Sequence, residues 1–260
     1  MRSRLFLLLA AGLLTGCATL PPGDRDPRDR FERFNRAIFN FNDALDRAVG
    51  EPLATGYVKV TPAPVRSGIG NFFNNLTYPT VIVNDLLQLK LKAFASDTAR
   101  LLLNTTIGIG GLFDPATQVG LPAGDEDFGQ TLGRWGVPAG PYVMWPIAGP
   151  STLRDTITWY PDQLTDPKTY ASPLGLRLGL NATSLLLDRV ELLPADDTVR
   201  RSFDPYVFVR NAYLKRREYL VKDGKVPTEE LEIFEDEADP AAADTPAAKP
   251  ADKPAADPAQ

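Results

Sequence analysis

The stretch WGVPAGPYVMWPIAGPSTL, Trp135 to Leu153, limits the possible folds of this chain more than any other. It runs without a charge between Arg134 and Arg154, yet Gly136, Pro138, Gly140, Pro141, Pro146, Gly149 and Pro150 interrupt it every few residues. Proline lacks the N–H that a helix interior needs, and glycine loses the most backbone entropy on ordering. A regular helix is therefore ruled out in a segment apolar enough for a membrane. Irregular backbone at membrane depth survives only where protein buries it or where it lines a cavity. Two placements stay open on these grounds. The segment is either the wall of an opening in a membrane-attached protein or a loop laid on a soluble core. Trp135, Tyr142 and Trp145 would suit the boundary between head groups and acyl tails in the first case.

The flanking sequence has helical period. Phe31, Phe34, Ile38, Phe41, Leu45 and Val49 recur at spacings of three and four, and Asp26 followed by Pro27 offers a cap before them. Such a stripe is a core face or a face lying in a membrane interface. With three phenylalanines, Phe31, Phe34, Ile38, Phe41 and Leu45 are the candidate membrane-facing set. A second helix is predicted after Thr61, with Val65, Ile69, Phe72 and Leu76 on one face. After Tyr78-Pro79 a longer helical region continues to Thr106, with a break near Leu89–Lys92 and an end at Gly108, Gly110 and Gly111. Residues 112–150 read as loops. Ser151 is a candidate cap for a short helix, another helix starts at Ser172-Pro173, and a last one spans about Thr198 to Val221. Sustained period-two alternation is missing, so the expected class is all-α with one long irregular insertion.

Both ends differ from this body. Arg2 and Arg4 precede the apolar run LFLLLAAGLL, which is too short to span a bilayer and reads as a secretion signal over residues 1–16. It closes in LTGC, a lipobox, which makes Cys17 the expected site of lipid attachment and Ala18 the second residue of the mature chain. Ala18 in place of aspartate favours the outer membrane, and acyl chains contribute about 0.8 kcal/mol per buried methylene to anchoring. Residues 17–232 form the expected helical domain. Residues 233–260 form an acidic Ala/Pro-rich tail, expected to be disordered; from Glu235 onward it has no core-forming residue beyond alanine. Most of the net charge of −5 belongs to that tail, and the chain shows no basic stripe for nucleic acid.

The usual reagents of catalysis are scarce. There is no histidine, which removes Ser-His-Asp and Cys-His systems and the commonest zinc sites. Cys17 is the single cysteine and would be acylated. No GxSxG elbow or Walker A motif occurs, and TIGIGG does not fit a dinucleotide loop. The run GDEDFG at 124–129 is the best remaining candidate for chemistry, although a capping cluster paired with Arg134 explains it as well. Asp97 with Arg100, and Arg154 with Asp155, fit structural ion pairs. No catalytic residue, metal or cofactor is expected.

RFNRAIFNFNDALDR (33–47), PAPVRSGIGNFFNNL (62–76), VNDLLQLKLKAFASDTARLLLNTTIGIGGLFDPA (83–116), DEDFGQTLGRWGVPAGPYVMWPIAGPSTLRD (125–155) and DPYVFVRNAYLKRREYLVKDG (204–224), behind the lipobox, resemble the MlaA (VacJ) family of outer-membrane lipoproteins. The resemblance implies a ring-like bundle of amphipathic helices embedded in the inner leaflet of the outer membrane, facing the periplasm. It implies removal of misplaced phospholipid from the outer leaflet and delivery to a soluble periplasmic lipid carrier. A trimeric outer-membrane porin is the implied partner, and an ATP-driven complex of the inner membrane the distant destination. On that view Trp135, Gly136, Pro138, Tyr142, Trp145 and Pro146 are candidates for the channel or its gate. Asn and Thr of NFFNNLT and LNTT are candidate lumen groups, with a helix-end role as the alternative. A porin-bound scaffold without transport, or a lipid hydrolase, would be the competing functions.

Overall fold

The computed structural model describes residues 26–225; the signal at 1–16, Cys17 and the acidic tail at 233–260 lie outside the described residues. Helix α1 (Glu32–Leu45) runs through a π-turn (Asp46–Gly50) into α2 (Glu51–Val60). Helices α3 (Ala63–Leu87) and α4 (Leu91–Thr106) form an antiparallel pair, followed by the short α5 (Pro115–Gln118) and by α6 (Phe128–Arg134). A hairpin, β1 (Tyr142–Trp145) and β2 (Gly149–Thr152), leads into α7 (Leu153–Thr165). A 3₁₀ turn (Pro167–Tyr170), α8 (Leu174–Leu192), α9 (Asp196–Arg201) and α10 (Pro205–Val221) complete the chain.

These elements touch in a closed circuit. Helix α2 packs on α8, and α8 on the 167–170 turn. That turn and α7 pack on α3, α7 on α6, and α6 on α10. Helix α10 meets β2, and β1 returns to α1. Ion pairs clasp several of the joints: Arg189 of α8 with Asp46 of the π-turn at 2.7 Å, Arg36 of α1 with Asp204 at the start of α10 at 2.7 Å, and Arg217 of α10 with Asp155 of α7 at 3.0 Å.

Several boundaries depart from the sequence expectation. Asp26 does not cap α1; its carboxylate accepts from the Arg28 N–H, and the helix starts after Phe31. Pro79 does not separate two helices. It sits inside α3, whose pairing with α4 holds the helix together although Pro79 has no N–H to donate to the Asn75 carbonyl. The loop-rich 112–150 region contains α6 and β1. Thr152, not Ser151, caps α7 by accepting from the Asp155 N–H at 3.2 Å. Asp204 and Pro205 restart the final helix, so the predicted span from Thr198 is two helices. The expected break does fall at Leu89, in the left-handed region at φ 58, and α4 does end ahead of Gly108.

The interior is polar. Among the described residues, buried polar side chains outnumber buried apolar ones, and Gln130, Asn35, Asn84 and Asp85 are all at most 1% exposed. Interiors of water-soluble domains have the opposite bias. The apolar stripes face the other way. Helix α3 buries Phe73, Asn75, Tyr78, Val81, Asn84 and Asp85, while Val65 of its predicted stripe is exposed. Helix α8, rich in leucine, buries no residue at all.

Candidate functional site: a polar cavity beside a clamped hairpin

The Gly/Pro-rich segment is less irregular than its composition suggests. Tyr142–Trp145 pairs with Gly149–Thr152 in an antiparallel register, Tyr142 opposite Thr152. Helix α1 supplies what a third strand would. The Asn35 amide donates to the Tyr142 carbonyl at 3.1 Å and accepts from the Met144 N–H at 2.9 Å. One heptad on, Asn42 donates to the Trp145 carbonyl at 2.9 Å and accepts from the Ile147 N–H at 2.8 Å. Two side chains on one helix face thus satisfy the strand edge. The anchor beneath is Tyr142, Met144 and Tyr206, with Ile38 and Phe39 packed against it. Tyr206 and Arg210 both donate to buried Asp29, which in turn accepts from Asn35.

This arrangement divides the residues singled out from sequence. Phe31, Phe34 and Phe41 are about half exposed, at 51%, 51% and 52%, and Leu45 is exposed too, whereas Ile38 turns inward onto the hairpin. Tyr142 is fully buried, so it has no surface to offer a gate. Trp135, Gly136, Pro138, Trp145 and Pro146 are exposed. The indole N–H of Trp135 donates to the Leu87 carbonyl, and that of Trp145 to Thr156. The hairpin tip holds Ile147 at φ 67, a left-handed conformation that is an outlier for a β-branched residue. Leu89 and Ile109, also left-handed, occupy two further exposed turns.

The cavity lies elsewhere. It encloses about 530 Å³ between α3, the C-terminal half of α4, the 123–127 segment and α7. Asn71, Asn74, Asn75 and Thr77 of NFFNNLT and Asn104 of LNTT line it. The first four are mid-helix in α3, so the helix-end alternative does not apply to them. None of the six candidate gate residues is part of this lining. Of the gate candidates, Tyr142 packs on the α1–α10 side of the circuit, while Trp135 reaches the end of α3 and Trp145 reaches α7; the cavity opens between α3 and α7. Sequence inspection missed Asn35 and Asn42. Their seven-residue spacing beside the apolar stripe of that helix was the available signal.

The acidic run GDEDFG forms part of the cavity wall. Asp127 caps α6 by accepting from the Gln130 N–H at 2.7 Å, and its ion-pair partner is Arg217. Glu126 pairs with Lys90 at 2.7 Å, while Arg134 reaches Asp223 instead. Arg154 pairs with Asp155 at 3.2 Å, but Arg100 pairs with Asp114 at 2.9 Å and not with Asp97. Asp97 faces Asp85 across the α3–α4 contact. Burial, then the Asp97 charge, pushes the Asp85 carboxyl up, so that it holds the proton the pair shares. Burial also raises Asp162, to about 6. Nothing in this geometry pairs a nucleophile with a base. What it offers is a polar, hydrogen-bonding cavity among helices whose exposed faces carry many apolar side chains.

The family profile described as MlaA lipoprotein matches residues 27–220. The chain belongs to the MlaA lipoprotein family. It is 35% identical over 235 residues to the intermembrane phospholipid transport system lipoprotein MlaA of Escherichia coli K12, covering 86% of this chain and 90% of that one. It is 40% identical over 196 residues to an uncharacterized protein of Rickettsia felis, covering 75% and 78%. A solved structure, described as "Structural basis for maintenance of bacterial outer membrane lipid asymmetry", matches with a TM-score of 0.68 and 36% identity, over 76% of this chain and all of that one.

Proposed function

We propose that this protein is an outer-membrane lipoprotein that removes mislocalised phospholipid from the outer leaflet and passes it to a soluble periplasmic carrier. Membership of a family whose named members are phospholipid-transport lipoproteins supports this, and so does the likeness to a structure concerned with outer-membrane lipid asymmetry. The observation that carries the proposal is the reversed distribution of polarity: an asparagine- and carboxylate-lined cavity within a circuit of helices whose exposed faces bear Phe31, Phe34, Phe41, Trp159 and a row of leucines on α8.

Among the described residues no helix is long and apolar enough to cross a membrane. The proposed seat is therefore within one leaflet, held by acylated Cys17, with the exposed apolar faces against acyl chains. Left-handed Leu89, Ile109 and Ile147 at exposed turns suit this seat, since turns facing water favour glycine or asparagine there. Trp135 and Trp145 would lie near the head-group boundary. A lipid crossing hydrocarbon must strip water from its charged head group, which is the main barrier. The cavity would replace that water with fixed hydrogen-bonding groups while the tails stay among apolar side chains. No fuel is consumed in such a step. A trimeric porin is the proposed neighbour in the membrane plane.

Deletion of the gene followed by assay of outer-leaflet phospholipid tests the proposal. Accumulation at the surface with increased detergent sensitivity is expected. Unchanged surface phospholipid would favour a porin-bound scaffold, and fatty-acid release by the purified protein would favour a hydrolase. Palmitate labelling that persists in Cys17→Ala would overturn the anchor.

A further inference from the structure

The cavity has an unbalanced charge. Asp114, Asp125, Glu126, Asp127, Asp162 and Asp166 line it, against Arg100 as the one cation of the lining. Arg100 is fully engaged: its guanidinium donates to Tyr78 at 2.7 Å, Asp114 at 2.9 Å, Thr117 at 3.1 Å and the Leu121 carbonyl. Asp114, Glu126, Asp127 and Asp166 have cation partners in Arg100, Lys90, Arg217 and Lys168. Among the described residues Asp125 and Asp162 show no ion pair. The Asp162 carboxylate accepts from the Phe128 N–H at 3.0 Å and the Asn84 amide at 3.4 Å.

A second observation is independent of the carboxylates. Asn75 also lines the cavity and is 6% exposed; its amide nitrogen donates to Thr105, but its Oδ1 has no partner. A buried acceptor left unpaired costs about 1–3 kcal/mol, so such groups call for a donor. Carboxylates and an amide oxygen accept only, and an ammonium group donates three bonds and accepts none. The neutral amides and hydroxyls of Asn71, Asn74, Thr77 and Thr80, on the same lining, can donate to a phosphate without a cation.

We infer that this cavity selects phospholipids by head-group charge, taking zwitterionic, amine-bearing phosphoethanolamine head groups over anionic phosphoglycerol ones. The inference rests on the transport proposal and adds the identity of the favoured substrate. The ammonium would sit toward Asp125 and Asp162, with the phosphate on the asparagine and threonine wall that includes Asn75. An anionic head group brings a phosphate to the same acidic wall with no positive charge to offset it.

The test incubates the purified full-length lipoprotein with vesicles of equal phosphatidylethanolamine and phosphatidylglycerol, and measures the head groups it captures. About tenfold enrichment of phosphatidylethanolamine is expected for the natural sequence, as for one part-exposed charge contact. Asp125 is exposed, and its backbone carbonyl, not its side chain, serves the fold by accepting from Gln130. Asp125→Asn should reduce the enrichment several-fold, and Asp125→Lys should reverse it. Asn74→Lys, at an exposed position of the same wall, should shift the ratio in the same sense. Capture in the vesicle ratio by the natural chain, unmoved in both lysine variants, would overturn the selectivity and leave transport standing. Capture of neither lipid would overturn transport and selectivity together.

Discussion

Two sectors of the circuit are built on opposite principles. Where α1 and α10 meet the hairpin, Tyr142, Met144 and Tyr206 form a packed knot, and apart from the unpaired Tyr142 hydroxyl the polar groups around it are satisfied: Asn35 by the strand edge and Asp29, and Asp29 by Tyr206 and Arg210. Where α3, α4, α6 and α7 meet, the interior is Asn84, Asp85, Gln88, Asp97, Gln130 and Thr131, and several oxygens lack donors. A fully satisfied network fixes one geometry, whereas a partly satisfied one costs stability and keeps polar groups free for something else. The first sector holds the circuit closed. The second packs behind the cavity wall, and among its unpaired oxygens that of Asn75 belongs to the cavity lining.

The largest effect expected from this contrast is in the first sector. Tyr142→Ala should lower unfolding stability by about 3–5 kcal/mol, the usual range for deleting a buried aromatic. Chemical denaturation in detergent measures it, and a loss below 1 kcal/mol would mean that the knot is not the anchor. Next is the clamp. Asn35→Ala strands the Tyr142 carbonyl and the Met144 N–H and should cost about 2–3 kcal/mol, whereas Asn42→Ala, serving an exposed pair, should cost about 1 kcal/mol.

The second sector should respond to pH. The Asp85 carboxyl is raised from 3.8 to about 7, so the folded state binds more protons than the unfolded chain between those values. Its favourable contribution is complete below about pH 4 and declines as pH rises toward 7. Asp162, raised to about 6, acts in the same direction. Asp85→Asn should flatten this decline and stabilise the chain at pH 8, as read by unfolding midpoints from pH 4 to 8; an unchanged profile would dissolve the proposed proton-sharing pair. The smallest effect belongs to the exposed hairpin tip. Trp145→Phe removes one bond to Thr156 and should cost under 1 kcal/mol, while lowering lipid transfer if the indole sits at the head-group boundary.

Helical period located most of the helices, because a 3.6-residue repeat of phenylalanine and leucine is visible whichever way it faces. It did not say which way. The rule that apolar faces point inward would put Phe34 and Phe41 in a core, and they are exposed; only the lipobox and the family resemblance argued for the outward direction. The hairpin was hidden because Gly and Pro dominate its composition, while its pairing comes from Asn35 and Asn42, more than ninety residues earlier in the chain. Pro79 was misjudged as a boundary because local propensity cannot register that packing along α4 holds α3 together. The cavity could be foreseen in part, since the asparagines of NFFNNLT are unusual for a helix interior. The acidic wall opposite them could not, because Asp125 and Asp162 are brought together only by the packing of α6 on α7.

The central claim is that the polar cavity between α3 and α7 is where a lipid head group passes. A photo-crosslinking residue placed at Asn74 in living cells tests it directly, with the buried position Tyr206 as the comparison. The account predicts phospholipid adducts at Asn74 and none at Tyr206. A stable, membrane-associated protein that carries lipid on its outer helices but yields no adduct at Asn74 would contradict it.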